Sequence, residues 1–188
     1  CVFADLHFCP GAFMSNGPDR LKKIQERAKE KKVDFIIQLG DLCHFPKEHK
    51  KWIEEYQNYE IPSYHVLGNH DTDHCLKKEL LEIYQMDKPY YWFEKNGFRF
   101  IILDGNHLYQ DDQWKDYDYG NYHLRQYKYR EGLDPEQLEW LEKTLLESKK
   151  PMVVFSHQSL FVASRCVHQH EEINQLFDKA KGLGKKIF

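Results

Sequence analysis

Four short segments of this chain carry residues that commonly bind metal ions. Each follows a run of apolar residues typical of a buried β-strand. The segments are Asp5-Leu6-His7, Gly40-Asp41, Gly68-Asn69-His70-Asp71 and Ser156-His157. Because ligands gather beyond the carboxyl ends of the strands in open parallel sheets, this placement predicts that the four segments meet at one edge.

The residue types indicate a two-metal site of the kind that hydrolyses phosphate esters. Two divalent ions about 3.5–4 Å apart can activate a shared water and neutralise the phosphoryl oxygens. Asp41, on a tight glycine turn, is the candidate bridging ligand. Asp5 and His7 offer an oxygen and a nitrogen to one ion. Asn69 and His157 would face the second ion.

His70 remains outside this ligand set and is the candidate general acid for the departing alcohol. His44 lies just past Asp41, where it could reach a bound phosphate or the leaving group. Cys9 and Cys43 flank the first two segments and could be soft ligands, but we favour their interpretation as buried packing residues. Each segment alone also reads as a turn or a structural histidine, so the prediction depends on all four occurring together.

Parallel strands joined by helices must position these segments. Strand-like runs cover residues 2–4, 35–39, 64–67 and 152–155. The spacing of Leu21, Ile24 and Ala28 predicts a helix between the first two strands. Further helices are predicted at roughly 47–58, from about 72, from an N-cap at 134, and at roughly 171–181. This alternation supplies the crossovers that parallel pairing requires.

Two regions depart from the alternation. Lys95-Asn96-Gly97, between two β-rich runs, predicts a hairpin over 91–103. Residues 106–131 lack periodicity, and we interpret them as a long loop or lid inserted in the domain. Their aromatic side chains could stack a base or an aryl leaving group, or pack on one another. They are Tyr109, Trp114, Tyr117, Tyr119, Tyr122, Tyr127 and Tyr129.

Length and composition predict a single domain over residues 1–188. No segment approaches the ~20 apolar residues of a membrane span. A net charge of −3 provides no basic surface for nucleic acid, which favours a small phosphate ester as the substrate.

The five cysteines lack a Cys-x-x-Cys pair, which favours reduced thiols and a cytoplasmic location. The chain opens without Met inside an apparent strand, so a removed export sequence would not be visible.

The order of the motifs closely resembles that of the calcineurin-like metallophosphoesterases, and the resemblance runs over nearly the whole chain. The matching motifs are Asp5-x-His7, Gly40-Asp41, Gly68-Asn69-His70-Asp71 and His157. The resemblance implies an α/β fold, a four-layer αββα sandwich of two mixed sheets between helices with a dinuclear site at one edge. It implies the ligand assignments argued above. It also implies that the residue matching His70 assists the departing alcohol and that the one matching Asp71 orients His70.

The family's final Gly-His-x-His motif, which gives one His to each metal, is absent from this sequence. In the family that motif follows a strand, and Lys186-Ile187-Phe188 is predicted to begin such a strand. We therefore expect the native protein to continue beyond Phe188, and the sandwich to be incomplete at this C-terminus. His168 and His170 have the same spacing but precede a helix without the Gly, which favours a solvated helix start over a substitute ligand pair.

These observations predict metal-dependent hydrolysis of a phosphomonoester or phosphodiester. A hydroxide bridging two Mn, Fe or Zn ions would attack phosphorus, with His70 as the general acid. One alternative is a DNA nuclease of the same superfamily, because residues 40–44 resemble the second motif of recombination nucleases. The other is a catalytically inactive protein-binding scaffold, against which the retention of all the candidate ligands argues.

Overall fold

The computed structural model describes residues 1–11, 14–123, 129–161 and 166–188. The chain divides into two compact units, one comprising Cys1–Lys88 with Tyr117–Leu124 and the other Pro89–Asp116 with Arg125–Phe188. That both units belong to one catalytic domain remains a prediction. Within the described ranges, every helix is too short or too polar to span a lipid bilayer.

The first unit is built on a parallel sheet with the strand order β1-β2-β3. Val2 pairs with Ile37 and Ile36 pairs with Ser63, so the three strands end at the same edge of the sheet. The elements of this unit are β1 (Val2–Phe3), α1 (Gly17–Glu30), β2 (Ile36–Gln38), α2 (Lys50–Gln57), β3 (Ser63–His65) and α3 (Lys77–Ile83), with 3₁₀ turns at Asn69–Thr72 and Asn121–His123. The predicted strand-helix-strand order is confirmed.

The third helix begins later than the sequence predicted. Residues Asn69–Thr72 form a 3₁₀ turn, and α3 starts only at Lys77. The Leu76 N–H donates to the Glu79 carboxylate (2.9 Å), and the Lys77 N–H donates to Asp118 Oδ1 (2.6 Å). These carboxylates cap the N–H groups at the start of the helix, which fixes the helix start there.

Buried polar side chains at the ends of β2 and β3 support the turn at Gly40. Gln38 Nε2 donates to His65 Nδ1 (3.0 Å) and to the Val66 carbonyl (2.9 Å), while its amide oxygen accepts from the Gly40 N–H (2.6 Å). The His65 ring stacks on Tyr84 with centroids 4.2 Å apart. Burial lowers the pKa of His65 to about 3, because the site disfavours a charged imidazole.

Lowering the pH from 7 to 5 is therefore expected to destabilise the metal-free protein by about 2 kcal/mol through His65 alone. The unfolded imidazole binds a proton near its ordinary pKa of 6.5, whereas the folded one stays neutral to about pH 3. The stabilisation is thus complete above pH 6.5 and is lost as the pH falls. His65→Gln removes the titrating group and keeps an acceptor for Gln38. Urea unfolding at pH 7 and pH 5 should show that the free energy of unfolding falls by about 2 kcal/mol less in the variant than in the wild-type protein. Equal decreases in the two proteins would contradict this account.

The second unit contains two three-stranded sheets, with the strand orders β4-β5-β9 and β7-β6-β8. Strands β4 and β5 are antiparallel, and β9 adds to β5 in parallel. The elements are β4 (Tyr91–Lys95), β5 (Phe98–Ile102), β6 (His107–Gln110), β7 (Gln113–Asp116), β8 (Tyr129–Gly132), α4 (Pro135–Glu147), β9 (Met152–Phe155) and α5 (His170–Gly182). The predicted hairpin is confirmed, with left-handed backbone at Asn96 and Gly97 (φ 51° and 81°).

The two helices of this unit pack through a common apolar core. Leu141 and Leu145 of α4 and Ile173 and Phe177 of α5 are buried in it. The Asp134 side chain accepts from the Gln137 N–H (2.8 Å), which confirms the predicted N-cap of α4. Residues 186–188 form parallel hydrogen bonds with β9 around an isolated bridge between Met152 and Ile187, which agrees with the strand predicted to begin there.

The prediction of an irregular loop over residues 106–131 is wrong for residues 107–116 and from residue 129, whereas residues 117–123 lie outside any strand. Strands β6, β7 and β8 pair there as an antiparallel sheet. Asp111 and Asp112 form the β6–β7 turn with φ values of 53° and 58°. Such turns are usually marked by Gly, which this sequence lacks at the turn, so the hairpin gave no recognisable signal. Residues 124–128 lie outside the described residues, and a role as a lid stays a prediction.

The aromatic side chains of this region contact one another. In the first unit, Tyr117 and Tyr122 stack with ring centroids 4.6 Å apart. In the second unit, Tyr109 and Trp114 lie 5.3 Å apart across the β6–β7 hairpin. Packing on their own neighbours is therefore observed for these pairs, while stacking on a substrate remains a prediction. Tyr127 lies outside the described residues.

Candidate metal centre

The loops that follow β1 and β2 run side by side beyond the edge of the parallel sheet. The Asp5 N–H donates to the Gly40 carbonyl (3.1 Å), and the His7 N–H donates to the Asp41 carbonyl (2.8 Å). These bonds continue the parallel pairing past the ends of the strands. They bring the side chains of Asp5, His7 and Asp41 together.

The same three residues have left-handed backbone conformations. Their φ values are 55° at Asp5, 50° at His7 and 56° at Asp41. A non-glycine residue in this region costs roughly 1–3 kcal/mol, and such residues cluster at binding and active sites. Three of them within one cluster support the interpretation of this edge as a functional site.

The side chains of these residues offer a compact set of metal-binding atoms. His7 Nε2 lies 3.5 Å from Asp5 Oδ1 and 3.5 Å from Asp41 Oδ2. All three atoms lie within 4.8 Å of one another. Atoms bound about 2.0–2.2 Å from a shared ion are about 3.0–3.5 Å apart, so the observed spacing fits one ion. Two carboxylates and an imidazole form a donor set that suits Mn, Fe or Zn.

The electrostatics of this cluster favour a bound cation. Burial lowers the pKa of His7, an effect that the charge of Asp41 partly offsets. The neutral imidazole is the form that binds a metal. Burial, and then the charge of Asp41, raise the pKa of the nearby Asp71 carboxyl to about 6. A cation beside Asp41 would relieve this repulsion between two buried carboxylates.

A glycine at position 68 allows Asp41 to lie against the third loop. A Cβ atom at this position would collide with the backbone nitrogen and the Oδ1 atom of Asp41. Asp41 Oδ1 also accepts from the His70 N–H (2.8 Å). The loop after β3 therefore touches the candidate bridging carboxylate directly, and only a glycine fits at the point of closest approach.

The position of Asp71 differs from the role that the family resemblance implied. Its buried carboxylate accepts from the N–H groups of Asp41 (3.0 Å), Leu42 (2.8 Å), Cys43 (3.2 Å) and Gly68 (2.9 Å), and from the Tyr84 hydroxyl (2.9 Å). These contacts join the turn after β2 to the turn after β3. The carboxylate that holds the His70 ring is that of Asp73, so the expected orienting role of Asp71 is corrected.

His70 contacts Asp73 within the same irregular turn. His70 Nδ1 donates to Asp73 Oδ2 (2.8 Å), and the Tyr122 hydroxyl oxygen lies 3.1 Å from the same nitrogen. The hydrogen bond to Asp73 raises the pKa of His70 and outweighs the opposite effect of burial. A raised pKa suits a residue that must hold a proton until it is donated.

Sequence patterns did not identify Asp73 or the Tyr122 hydroxyl as part of the site. Asp73 had a weak signal, because a residue three positions after His70 lies on the same face of a helical turn. Tyr122 had none, since it lies 49 residues from its partner Asp73 and reaches it only through the tertiary fold.

His44 lies between His7, a candidate metal ligand, and Asp73. Its Nε2 atom is 2.9 Å from His7 Nδ1, and its Nδ1 atom is 3.2 Å from Asp73 Oδ2. His44, His70 and Asp73 also form a second group of metal-binding atoms within 4.8 Å of one another. A contact between His44 and a substrate remains a prediction, and its observed partners are protein side chains.

The candidate ligands of the second ion lie on different units. Asn69 begins the 3₁₀ turn after β3, and its Nδ2 atom donates to the Tyr122 hydroxyl oxygen (3.1 Å). His157 follows β9 in the second unit. Their joint role as metal ligands stays a prediction. His168 is exposed just before α5 and His170 is its first residue, which agrees with a helix start.

The two cysteines that flank the first two segments differ in burial: Cys43 is buried, as expected of a packing residue, whereas Cys9 is only half-buried. All five lie in the described part of the chain, and each is a free thiol. Cys43 is buried in the core of the first unit, and burial raises its pKa to about 12. A thiol with this pKa stays protonated at neutral pH and is a poor metal ligand.

Comparison with known proteins agrees with this architecture. A family described as calcineurin-like phosphoesterase matches residues 1–182. A probable glycerophosphodiester phosphodiesterase from Arcobacter nitrofigilis is 30% identical over 132 residues, which cover 67% of this chain and 42% of that protein. A manganese-dependent ADP-ribose/CDP-alcohol diphosphatase from Oryza sativa is 28% identical over 88 residues, covering 40% of this chain and 27% of that protein. The chain thus spans less than half the length of these curated relatives.

The fold is similar to that of a dimetal phosphatase from Danio rerio, with a TM-score of 0.69 and 17% sequence identity. The match covers 95% of this chain and 76% of that protein. At this identity the similarity shows the fold alone. It confirms the predicted α/β metallophosphoesterase fold.

Proposed function

Because the chain belongs to the calcineurin-like phosphoesterase family, we propose that it hydrolyses phosphate esters with two bound divalent ions. The observation that carries the proposal is the cluster of Asp5, His7 and Asp41, with its spacing suited to an ion and its left-handed backbone. The nearby His70 supplies a group that can hold and donate a proton. Retention of ligands and acid together speaks against an inactive scaffold.

In this proposal, each candidate ligand holds one position around the ions. Asp5 and His7 would bind the first ion, Asn69 and His157 the second, and Asp41 both. When bound, the ions supply a nucleophile from water at neutral pH and neutralise charge on the phosphoryl group. The name of the Oryza sativa relative, which specifies manganese, makes Mn²⁺ the first ion to test.

His70 would complete the reaction by protonating the departing oxygen. Its Nδ1–H bond to Asp73 fixes the ring, so that Nε2 is the nitrogen available to carry the transferred proton. The backbone N–H of His70 also holds Asp41, which ties the position of the acid to that of the bridging carboxylate. Proton donation and metal binding are thus organised by one turn of the chain.

A small phosphodiester or diphosphate is the substrate class that we favour. The relatives are named for a glycerophosphodiester and for ADP-ribose or CDP-alcohols, all of which are small. The net charge of −3 gives no general attraction to a polyanion such as DNA. This combination places a DNA nuclease second among the candidate functions.

A substrate panel after chelation and Mn²⁺ addition tests the proposal. We expect Mn²⁺-dependent hydrolysis of bis-p-nitrophenyl phosphate or ADP-ribose to exceed that of p-nitrophenyl phosphate, because the named relatives act on diesters and diphosphates. Single- and double-stranded DNA should be cut slowly or not at all. Faster cleavage of DNA would favour the nuclease. Failure to hydrolyse every ester, with Mn²⁺, Fe²⁺ or Zn²⁺ present, would favour the scaffold.

A further inference from the structure

The carboxylate of Asp73 is the meeting point of several donors in the first unit. Oδ2 lies 2.8 Å from His70 Nδ1 and 3.2 Å from His44 Nδ1. Oδ1 accepts from the Tyr122 hydroxyl (2.6 Å) and lies 3.3 Å from His123 Nε2. Burial favours the protonated form of Asp73, but the hydrogen bonds from its neighbours outweigh it and lower the pKa of Asp73. The ionised carboxylate can only accept, so His44, His70 and Tyr122 must each donate their proton to it.

This requirement determines the direction of the hydrogen bond between His44 and His7. A neutral His44 with its proton on Nδ1, facing Asp73, has a bare Nε2 atom. The partner of that atom is His7 Nδ1 at 2.9 Å, which must therefore carry the proton. A neutral His7 protonated on Nδ1 leaves Nε2 free of a proton. Nε2 is the atom that lies between the carboxylates of Asp5 and Asp41.

A second branch of contacts, from Asp73 through Tyr122 to Asn69, determines the orientation of the Asn69 amide in the same way. The Tyr122 hydroxyl donates its single proton to Asp73 Oδ1 at 2.6 Å. The Tyr122 oxygen then has no proton left to donate to Asn69, so it accepts from Asn69 Nδ2 at 3.1 Å. The Asn69 side chain must turn its NH₂ group toward Tyr122. Its amide oxygen, the atom that binds metals, is thereby turned away from Tyr122.

We propose that Asp73 is a positioning residue that organises three functional side chains at once. Through His44 it selects the metal-binding tautomer of His7, through Tyr122 it orients the amide of Asn69, and directly it holds the ring of His70. This inference rests on the proposed function for its metal ligands. Groups that support ligands in this way typically change metal affinity by about 10–100-fold.

An asparagine at position 73 cannot reproduce this arrangement. One of its two side-chain heteroatoms is a donor, so at least one of the His44, His70 or Tyr122 branches must break. His44→Leu removes the branch to His7, and Tyr122→Phe removes the hydroxyl that links Asp73 to Asn69 while leaving the contact of Asp73 with His70 in place. These two variants test single branches, so the inference stays testable even if Asp73→Asn folds poorly.

Histidine tautomers in the metal-free protein provide the decisive measurement. Long-range ¹H–¹⁵N correlation spectra above the titration range should show the His7 proton on Nδ1 in the wild-type protein and in Tyr122→Phe. In Asp73→Asn and His44→Leu, the proton should move toward Nε2, the form that imidazoles prefer in water. A His7 proton on Nε2 in the wild-type protein would overturn the inference even in an active enzyme. Failure of the substrate panel would instead overturn the proposed function and leave this result intact.

Mn²⁺ titration calorimetry tests the consequence for binding. Asp73→Asn, His44→Leu and Tyr122→Phe should each bind Mn²⁺ about 10–100-fold more weakly than the wild-type protein. Asp87→Asn, which removes an exposed carboxylate from the same unit, should bind normally. Because His44 and Asp73 act through one chain of bonds, the double variant should bind no more weakly than Asp73→Asn alone. Additive losses, or normal binding by all three single variants, would contradict the proposal.

Discussion

Asp41→Asn is expected to lower kcat/KM for phosphodiester hydrolysis by at least about 10³-fold, because several kcal/mol of transition-state charge stabilisation depend on the ions. Asp41 Oδ1 accepts from the His70 N–H at 2.8 Å, and the amide oxygen of an asparagine can keep that bond. The new NH₂ group then stands where Oδ2 lies 3.5 Å from His7 Nε2. An amide nitrogen with two protons cannot bind a cation. Steady-state kinetics and bulk metal analysis would measure both effects.

The metal-free Asp41→Asn protein should be at least as stable as the wild-type protein. The charge of Asp41 contributes to the raised pKa of Asp71, so removing it relieves a repulsion between buried carboxylates. Urea unfolding in the presence of a chelator would show this, with Asp87→Asn as the control for loss of one carboxylate charge. A stable variant that still binds two ions and retains its activity would remove Asp41 from the bridging role. A variant that unfolds without metal would instead indicate a structural role.

The positions of Asp5, His7 and Asp41 could be predicted because a general rule of sheet topology determines them. Apolar runs ending in potential ligands predicted parallel strands, and parallel strands place their carboxyl ends at one edge. The sequence could not reveal the left-handed backbone of these residues. That conformation depends on hydrogen bonds between neighbouring loops, which no local pattern encodes.

Contacts between distant residues limited the prediction elsewhere. The role that we expected for Asp71 came from the family resemblance, but the neighbouring turns place Asp73 against His70. Tyr122 reaches this cluster from a segment far along the chain, where the absence of periodicity predicted a loop or lid. The β6–β7 hairpin was missed because Asp111 and Asp112 adopt a turn usually marked by glycine. In each case the tertiary structure, and not local propensity, determined the outcome.

His70→Gln is expected to lower kcat by roughly 10²–10⁴-fold for a dialkyl phosphodiester. A glutamine can still donate a hydrogen bond to Asp73, but it has no proton to transfer to an alkoxide. With bis-p-nitrophenyl phosphate the loss should be much smaller, because p-nitrophenolate departs without protonation. Metal content should stay close to that of the wild-type protein, since His70 is not in the proposed ligand set. Parallel kinetics with the two esters would measure the difference.

His74→Gln is the matched control for this experiment. His74 is exposed in the same unit and stacks on Phe45 with ring centroids 4.1 Å apart, so its replacement should leave both rates unchanged. Equal losses for the two esters in His70→Gln would exclude proton donation to the leaving group as the role of His70. Because the His70 N–H holds Asp41 through the backbone, which the substitution preserves, such a result would point to a direct contact between the imidazole and the phosphoryl group. A decrease in kcat that is much larger for the dialkyl ester than for bis-p-nitrophenyl phosphate, with unchanged metal content, would identify His70 as the donor of the proton to the leaving group.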